Sequence, residues 1–291
     1  MNCPGSVRLS AQAGEQASSS YAREGTAAHQ LAEWRLRHNC DASDYPEETI
    51  TVEGEEFPVT DEMQAAVQLY LDTIRAEVEA DGALFFEQRL SLAHIDEELF
   101  GTADAAIWQP KRSRLIVVDL KYGKGKAVEV EGNTQFLYYA VGADRELRNS
   151  GPNVGYRGVA EIELVVVQPR APHKDGPVRR WVIPSLDLVD WIGELQDAAK
   201  ATRDPDAPLN PGDWCKFCPA AGFCPALRAK ALEAAKADFG GPDEPMTVPE
   251  VTAMSPDLLA AVLGEADIIK TWLKRVEEFA NDEAMAGRPP T

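Results

Sequence analysis

The spacing of apolar residues divides the chain into helix-like and strand-like stretches. Over 60–80, Met63, Val67, Tyr70, Leu71, Ile74 and Val78 recur at helical intervals. An earlier stretch, 26–39, puts Ala28, Leu31 and Ala32 on one side and has Thr26 as its candidate N-cap. Three β-like runs follow at 84–92, 102–108 and 115–121. Helices are predicted over 132–149, 186–201 and within 255–286, with strands at 162–167 and 180–183. Residues 41–62 are acidic and hold Pro46, Gly54 and Pro58, so they read as a solvated connection. Residues 237–250, with Gly240, Gly241, Pro242, Pro245 and Pro249, read as a linker. The order of helix, three-strand meander, helix and strand predicts an α/β fold, a small mixed sheet with helices on its faces.

Composition sharpens this in three ways. With 291 residues, 44% hydrophobic and 26% charged, the chain is long and apolar enough for one large domain or two small ones. No run approaches the roughly 18–20 apolar residues of a membrane span, so no membrane partner is expected. Met1-Asn2-Cys3-Pro4-Gly5 lacks the basic-then-apolar pattern of a secretory signal, and five unevenly spaced cysteines do not suit a disulfide framework. The expected setting is a reducing compartment, the bacterial cytoplasm.

The net charge of −19 speaks against a nucleic-acid partner until the chain is divided. Residues 1–100 hold 6 basic and 20 acidic side chains, residues 101–180 hold 13 and 9, and residues 181–291 hold 10 and 19. Only the middle segment is basic. Lys111, Arg112, Lys121, Lys124, Lys126, Arg145 and Arg148 are its candidates for a groove that takes an anion.

That segment also carries the candidate chemistry. Asp119 and Lys121 are two apart on one strand, so they share a face. If the turn at 109–114 is symmetric about the Lys111–Arg112 bond, partner numbers sum to 223 and Asp104 stands opposite Asp119. Their Cβ atoms would then be about 4.5–5.5 Å apart. Such a pair repels unless a proton or cation lies between, and Mg²⁺ or Mn²⁺ suits oxygen ligands. Lys121 could orient an attacking water or offset charge building on a phosphate. A surface hairpin with both aspartates in water satisfies the same spacing. Gln135 and Tyr139 are four apart on one helix face. The Gly123-Lys124-Gly125-Lys126 loop is a weak phosphate-binding signal on its own. Glu87 reads as solvent-facing or salt-bridged rather than as a ligand, and Glu24 as lying outside the helix that carries His29.

Taken together, Gly25-Thr26-x-x-His29, Gly101-x-x-Asp104, Asp119-Leu120-Lys121 and Gln135-x3-Tyr139 resemble the motif series of the RecB-type branch of the PD-(D/E)xK nuclease superfamily. The nearer resemblance is to uncharacterised phage and prophage RecB-like nucleases. It rests also on Cys3-Pro4-Gly5-Ser6, Glu24 to His29, Gly101 to Asp104 and Asp119 to Gly125, and covers roughly residues 1–236. The resemblance implies a restriction-endonuclease-like αβββαβ core and Mg²⁺- or Mn²⁺-dependent cleavage of DNA, exonucleolytic rather than endonucleolytic. It implies His29, Asp104, Asp119 and the Leu120 carbonyl as metal ligands and Lys121 as the catalytic lysine. Gln135 and Tyr139 would position DNA or the active-site strand, with Lys124 and Lys126 on the backbone. In a phage setting a single-strand annealing protein is the implied partner. A catalytically silent protein that binds DNA ends or a partner, and a small-molecule phosphoesterase, are the competing readings.

Cys215-x2-Cys218-x5-Cys224 gathers three thiols, with Cys3 as candidate fourth ligand because Cys40 lies at a polar helix end. Spacing leaves Zn²⁺, an iron–sulfur cluster and free thiols open. The resemblance to AddB-type and CRISPR-adaptation nucleases implies a [4Fe–4S] cluster that staples the N-terminus to the region beyond the core. The expected organisation is a 1–25 segment bearing Cys3, a core over 26–205, a cluster region over 206–236, and a linker and helical tail over 237–291.

Overall fold

A computed structural model describes residues 2–13, 18–239, 256–285 and 287. In chain order its main elements are α1 (Ser6–Ser10), α2 (Ser20–His38), β1 (Thr49–Val52), β2 (Glu55–Pro58), α3 (Asp61–Arg75), β3 (Ala83–Ser91), β4 (Phe100–Gln109), β5 (Arg114–Leu120), α4 (Thr134–Ser150), β6 (Glu161–Val167), β7 (Val178–Pro184), α5 (Ser185–Thr202), α6 (Pro225–Phe239) and α7 (Pro256–Met285). The chain divides into two compact units, Ala17–Gln196 and Met1–Gln16 with Asp197–Thr291. The expected boundary at 25/26 falls inside α2. Most of the expected linker, residues 240–250, lies outside the described residues. Among the described residues, no helix is long and apolar enough to cross a membrane.

The larger unit is built on a five-stranded mixed sheet in the order β3-β4-β5-β6-β7. β3, β4 and β5 form an antiparallel meander, β5 and β6 run parallel, and β7 returns antiparallel to β6. Central β5 is apolar on both faces because helices cover both. On one side lie Ala28 and Leu31 of α2 and Met63, Val67 and Tyr70 of α3. On the other lie Phe136, Ala140 and Leu147 of α4, with Leu188 of α5. α4 is the crossover that parallel β5 and β6 require.

Two local readings are corrected. Thr26 is not an N-cap: the helix begins nearly two turns earlier, where Ser19 accepts from the Ala22 amide, and Thr26 donates back to the Ala22 carbonyl. Glu24 is therefore inside the helix, and it pairs with Arg170 at 3.2 Å. The stretch 41–62 is not merely a connection. Ile50, Val52 and Phe57 are buried on a β1–β2 hairpin, whose Glu53-Gly54 turn has positive φ at both residues, 50° and 81°. The alternation was too short to stand out among its acidic neighbours.

Under β6, buried Glu163 accepts from Arg114 and, at 3.0 Å, from Arg180, which also reaches Glu77 at 2.8 Å. Removing the carboxylate leaves two guanidinium groups crowded around an apolar hole. Glu163→Ala is expected to cost toward the lower end of about 3–5 kcal/mol, since Arg180 keeps some water access. A urea titration reads this as a lower midpoint with unchanged slope; a midpoint like the wild type's would show the network to be dispensable.

In the smaller unit, a compact cluster joins Leu9 of α1 with Cys215, Ala221, Cys224 and Leu227, and with Ile268 and Trp272 of α7.

Candidate metal centre

The β4–β5 hairpin sets the centre. Its pairs Ala105↔Val118 and Gln109↔Arg114 have partner numbers that sum to 223, as the symmetric turn requires. The paired residues end at Ala105↔Val118, and one step further along the same register come Asp104 and Asp119. Across β3 and β4, Phe86↔Ala105 and Gln88↔Ala103 bracket Glu87 and Asp104. Glu87, Asp104 and Asp119 thus form one row across three adjacent strands. Glu87 has φ +45°, and both strands change phase there. Leu84, Phe86, Ala105 and Ile107 pack on the α2–α3 side, whereas Leu90 and Ala103 belong to the α4 side.

Asp104 points its two oxygens in different directions. Oδ2 accepts from the Leu120 amide at 2.7 Å, and Oδ1 lies 3.5 Å from His29 Nδ1 on α2. His29 Nδ1 is also 3.9 Å from Glu87 Oε1. Asp119 is almost fully buried. Lys121 Nζ donates to Asp119 Oδ1 at 3.0 Å and stands 2.8 Å from Oδ2, which accepts no hydrogen bond. The same ammonium donates to Gln135 Oε1 at 3.2 Å, and Gln135 Nε2 donates to Tyr139 Oη at 2.9 Å. Gln135 and Tyr139 therefore hold Lys121 in place. A Cβ on Gly101 would stand 3.1 Å from the Tyr138 ring and 3.2 Å from the Tyr139 ring, so this glycine lets α4 approach the meander.

The electrostatics are those of crowded anions. Burial pushes Asp104 up to about 6; burial and then the Asp104 charge do the same for Asp119. Burial, followed by Asp104, pushes Glu87 up to about 7. Burial lowers His29, partly opposed by Asp119. Burial works against the Lys121 charge, but Asp119 and Asp104 outweigh it and raise its pKa. Glu87, read from the sequence as solvent-facing or salt-bridged, is partly exposed and stands 3.9 Å from His29, beside Asp104.

An open depression of about 400 Å³ adjoins the centre, lined among others by Tyr21, His29, Lys121 and Lys126. Gly25, Gly123 and Gly125 also line it, and a Cβ on any of them would meet nothing within 4 Å. The chain's own packing does not require glycine there, and the effect is an unobstructed floor. Several expected groove cations lie elsewhere or are engaged. Lys111 and Arg112 sit in the turn at the far end of β4–β5, about 17 Å of strand from Asp119, and pair with Asp81 and Glu79. Lys124 pairs with Glu62 at 3.1 Å and Arg148 with Asp144 at 2.7 Å. Lys126 remains exposed on the depression's rim.

In the other unit, Cys3, Cys215, Cys218 and Cys224 line one cavity of about 240 Å³. Each sulfur has a polar neighbour: the Asn210 amide at 3.3 Å on Cys3, Gly212 at 3.4 Å on Cys215, Leu227 at 3.5 Å on Cys224, and the Ser10 hydroxyl at 3.9 Å from Cys218. Burial and then the other three sulfurs raise the Cys215 thiol. No three of these sulfurs lie within 4.8 Å of one another, whereas ligand atoms of His29, Glu87 and Asp104 do. Cys40 belongs to the larger unit and faces Arg35.

Fold and site define a mixed α/β protein with a carboxylate–histidine–lysine centre and a thiol-lined cavity. The chain belongs to the family described as protein of unknown function DUF2800, whose model matches residues 1–290.

Proposed function

We propose that this protein is a divalent-cation-dependent deoxyribonuclease of the RecB-like PD-(D/E)xK type with a restriction-endonuclease-like core. In this reading it is an exonuclease that trims DNA ends in phage or prophage recombination. The observation that supports it is the convergence of Asp104, Asp119 and Lys121 with His29 at the edge of an open depression, with Lys121 braced by Gln135 and Tyr139.

The residues fit a cation. Glu87 and Asp104 flank His29, Asp119 meets the Lys121 ammonium, and burial raises the pKa of all three carboxyl groups. His29, Asp104, Asp119 and the Leu120 carbonyl would hold Mg²⁺ or Mn²⁺, which supplies charge neutralisation at a phosphate and a more acidic water. Lys121, fixed from two sides, presents its charge where negative charge builds on the phosphorus oxygens. The bare floor made by Gly25, Gly123 and Gly125 lets a strand approach the backbone, and Lys126 meets its phosphates.

The thiol cavity suits a [4Fe–4S] cluster better than one zinc ion. A tetrahedral zinc needs sulfurs about 3.8 Å apart. No three of these sulfurs come within 4.8 Å of one another, and three receive amide hydrogen bonds of the kind that tune cluster sulfurs. A single-strand annealing protein is the partner this reading expects.

The test uses linear single- and double-stranded DNA, labelled separately at the 5′ and 3′ ends, with Mn²⁺ or Mg²⁺. Progressive release of short products from ends is expected. Binding without cutting would replace the nuclease reading with that of a silent end-binding protein, and turnover of free nucleotides alone would make it a phosphoesterase.

A further inference from the structure

The geometry points to Glu87 as a metal ligand that completes, with His29 Nδ1 and Asp104 Oδ1, a cation position able to form without Asp119. This rests on the reading above only in that the centre takes a divalent cation. Ligand atoms of these three residues lie within 4.8 Å of one another, close enough to share one ion. His29 Nδ1 stands 3.5 Å from Asp104 Oδ1 and 3.9 Å from Glu87 Oε1. Among the described residues, no lysine or arginine stands within ion-pair distance of Glu87.

Asp119 is placed differently. Its Oδ1 accepts from Lys121 at 3.0 Å and its Oδ2 stands 2.8 Å from the same ammonium, so both oxygens face the lysine rather than His29. Asp104 stands between the two, with one oxygen turned to the His29–Glu87 side and the other tied to the Leu120 amide. Asp119 and Lys121 can then work as a pair on the reacting phosphate while His29, Glu87 and Asp104 retain the ion. A nitrogen beside two carboxylates favours Mn²⁺ over Mg²⁺, which takes almost only oxygen.

The backbone supports the assignment. Glutamate at φ +45° within a strand is strained, and such strain is retained only where the surroundings over-determine it. Glu87 interrupts the β3–β4 ladder between Phe86↔Ala105 and Gln88↔Ala103, level with Asp104, so the strain falls where the third ligand is required.

The test is Mn²⁺ titration of DNA-free protein, with free Mn²⁺ followed by its electron paramagnetic resonance signal. Glu87→Gln keeps the size and shape of the side chain. It is expected to weaken Mn²⁺ binding at least ~10-fold while leaving the thermal midpoint in chelator equal or higher. Asp119→Asn, which neutralises the ligand on the far side of Asp104, is expected to retain Mn²⁺ uptake with a smaller loss than Glu87→Gln, and Mg²⁺ to compete poorly in both. Wild-type affinity in Glu87→Gln, or loss of all uptake in Asp119→Asn, would overturn the assignment. No step depends on cleavage: a protein that binds Mn²⁺ through Glu87 but never cuts DNA refutes the nuclease reading alone. One that cuts DNA and ignores the loss of Glu87 refutes this inference alone.

Discussion

Asp119→Asn and Lys121→Met, made separately, are each expected to lower DNA cleavage by at least ~10²–10³-fold, with little effect on folding. The magnitude is that of removing one preorganised charge aimed at a transition state. Asp119 and Lys121 touch at 2.8–3.0 Å, so they act as a unit and the double variant should be little worse than either single one. Gln135→Ala is expected to act through Lys121 and so to cost less than Lys121→Met. The measurement is single-turnover cleavage of end-labelled DNA with saturating Mn²⁺. Near-wild-type cleavage by Lys121→Met would remove the lysine from the chemistry. Additive losses in the double variant would break the proposed coupling.

Cys3→Ser is expected to have the largest effect on stability. Cys3 and Cys215 are far apart in sequence and line one cavity, so a cluster bound by both closes a loop of over 200 residues. By analogy with a disulfide, that closure is worth on the order of 5 kcal/mol through the unfolded chain. Anaerobically purified wild type is expected to be brown, with iron and sulfide near four per chain, in keeping with the proposed [4Fe–4S] cluster. Cys3→Ser is expected to lose the colour and unfold at markedly lower temperature, while Cys40→Ser keeps both, since Cys40 faces Arg35 elsewhere. A colourless wild type holding one zinc would reverse the assignment of iron while leaving the role of Cys3 intact. A brown Cys3→Ser variant of unchanged stability would remove Cys3 from the site.

The meander, the crossover helix and the Asp104–Asp119 register were legible because they rest on local rules. Side chains alternate across a strand, and a symmetric turn determines which numbers meet. The i, i+4 relation of Gln135 and Tyr139 was equally plain, but not their contact with Lys121, which arises only when α4 crosses over β5. The expected basic groove failed for a related reason. Summing charge along a segment ignores which end of a strand each residue occupies. It put Lys111 and Arg112 with Lys121, although the strand carries them to opposite ends of the sheet. Glu87 was set aside because a glutamate in a β-run has many ordinary explanations and its φ is invisible in sequence.

The sequence by itself determined the order of elements, the strand pairing that opposes two aspartates, and the thiol spacing, because each depends on periodicity or on separation along a short piece of chain. Tertiary structure alone decided that His29 from α2, Glu87 from β3 and the Gln135–Tyr139 brace from α4 meet those aspartates, and that Cys3 shares a cavity with cysteines over 200 residues away. Those contacts are set by how buried faces pack, which no local pattern encodes.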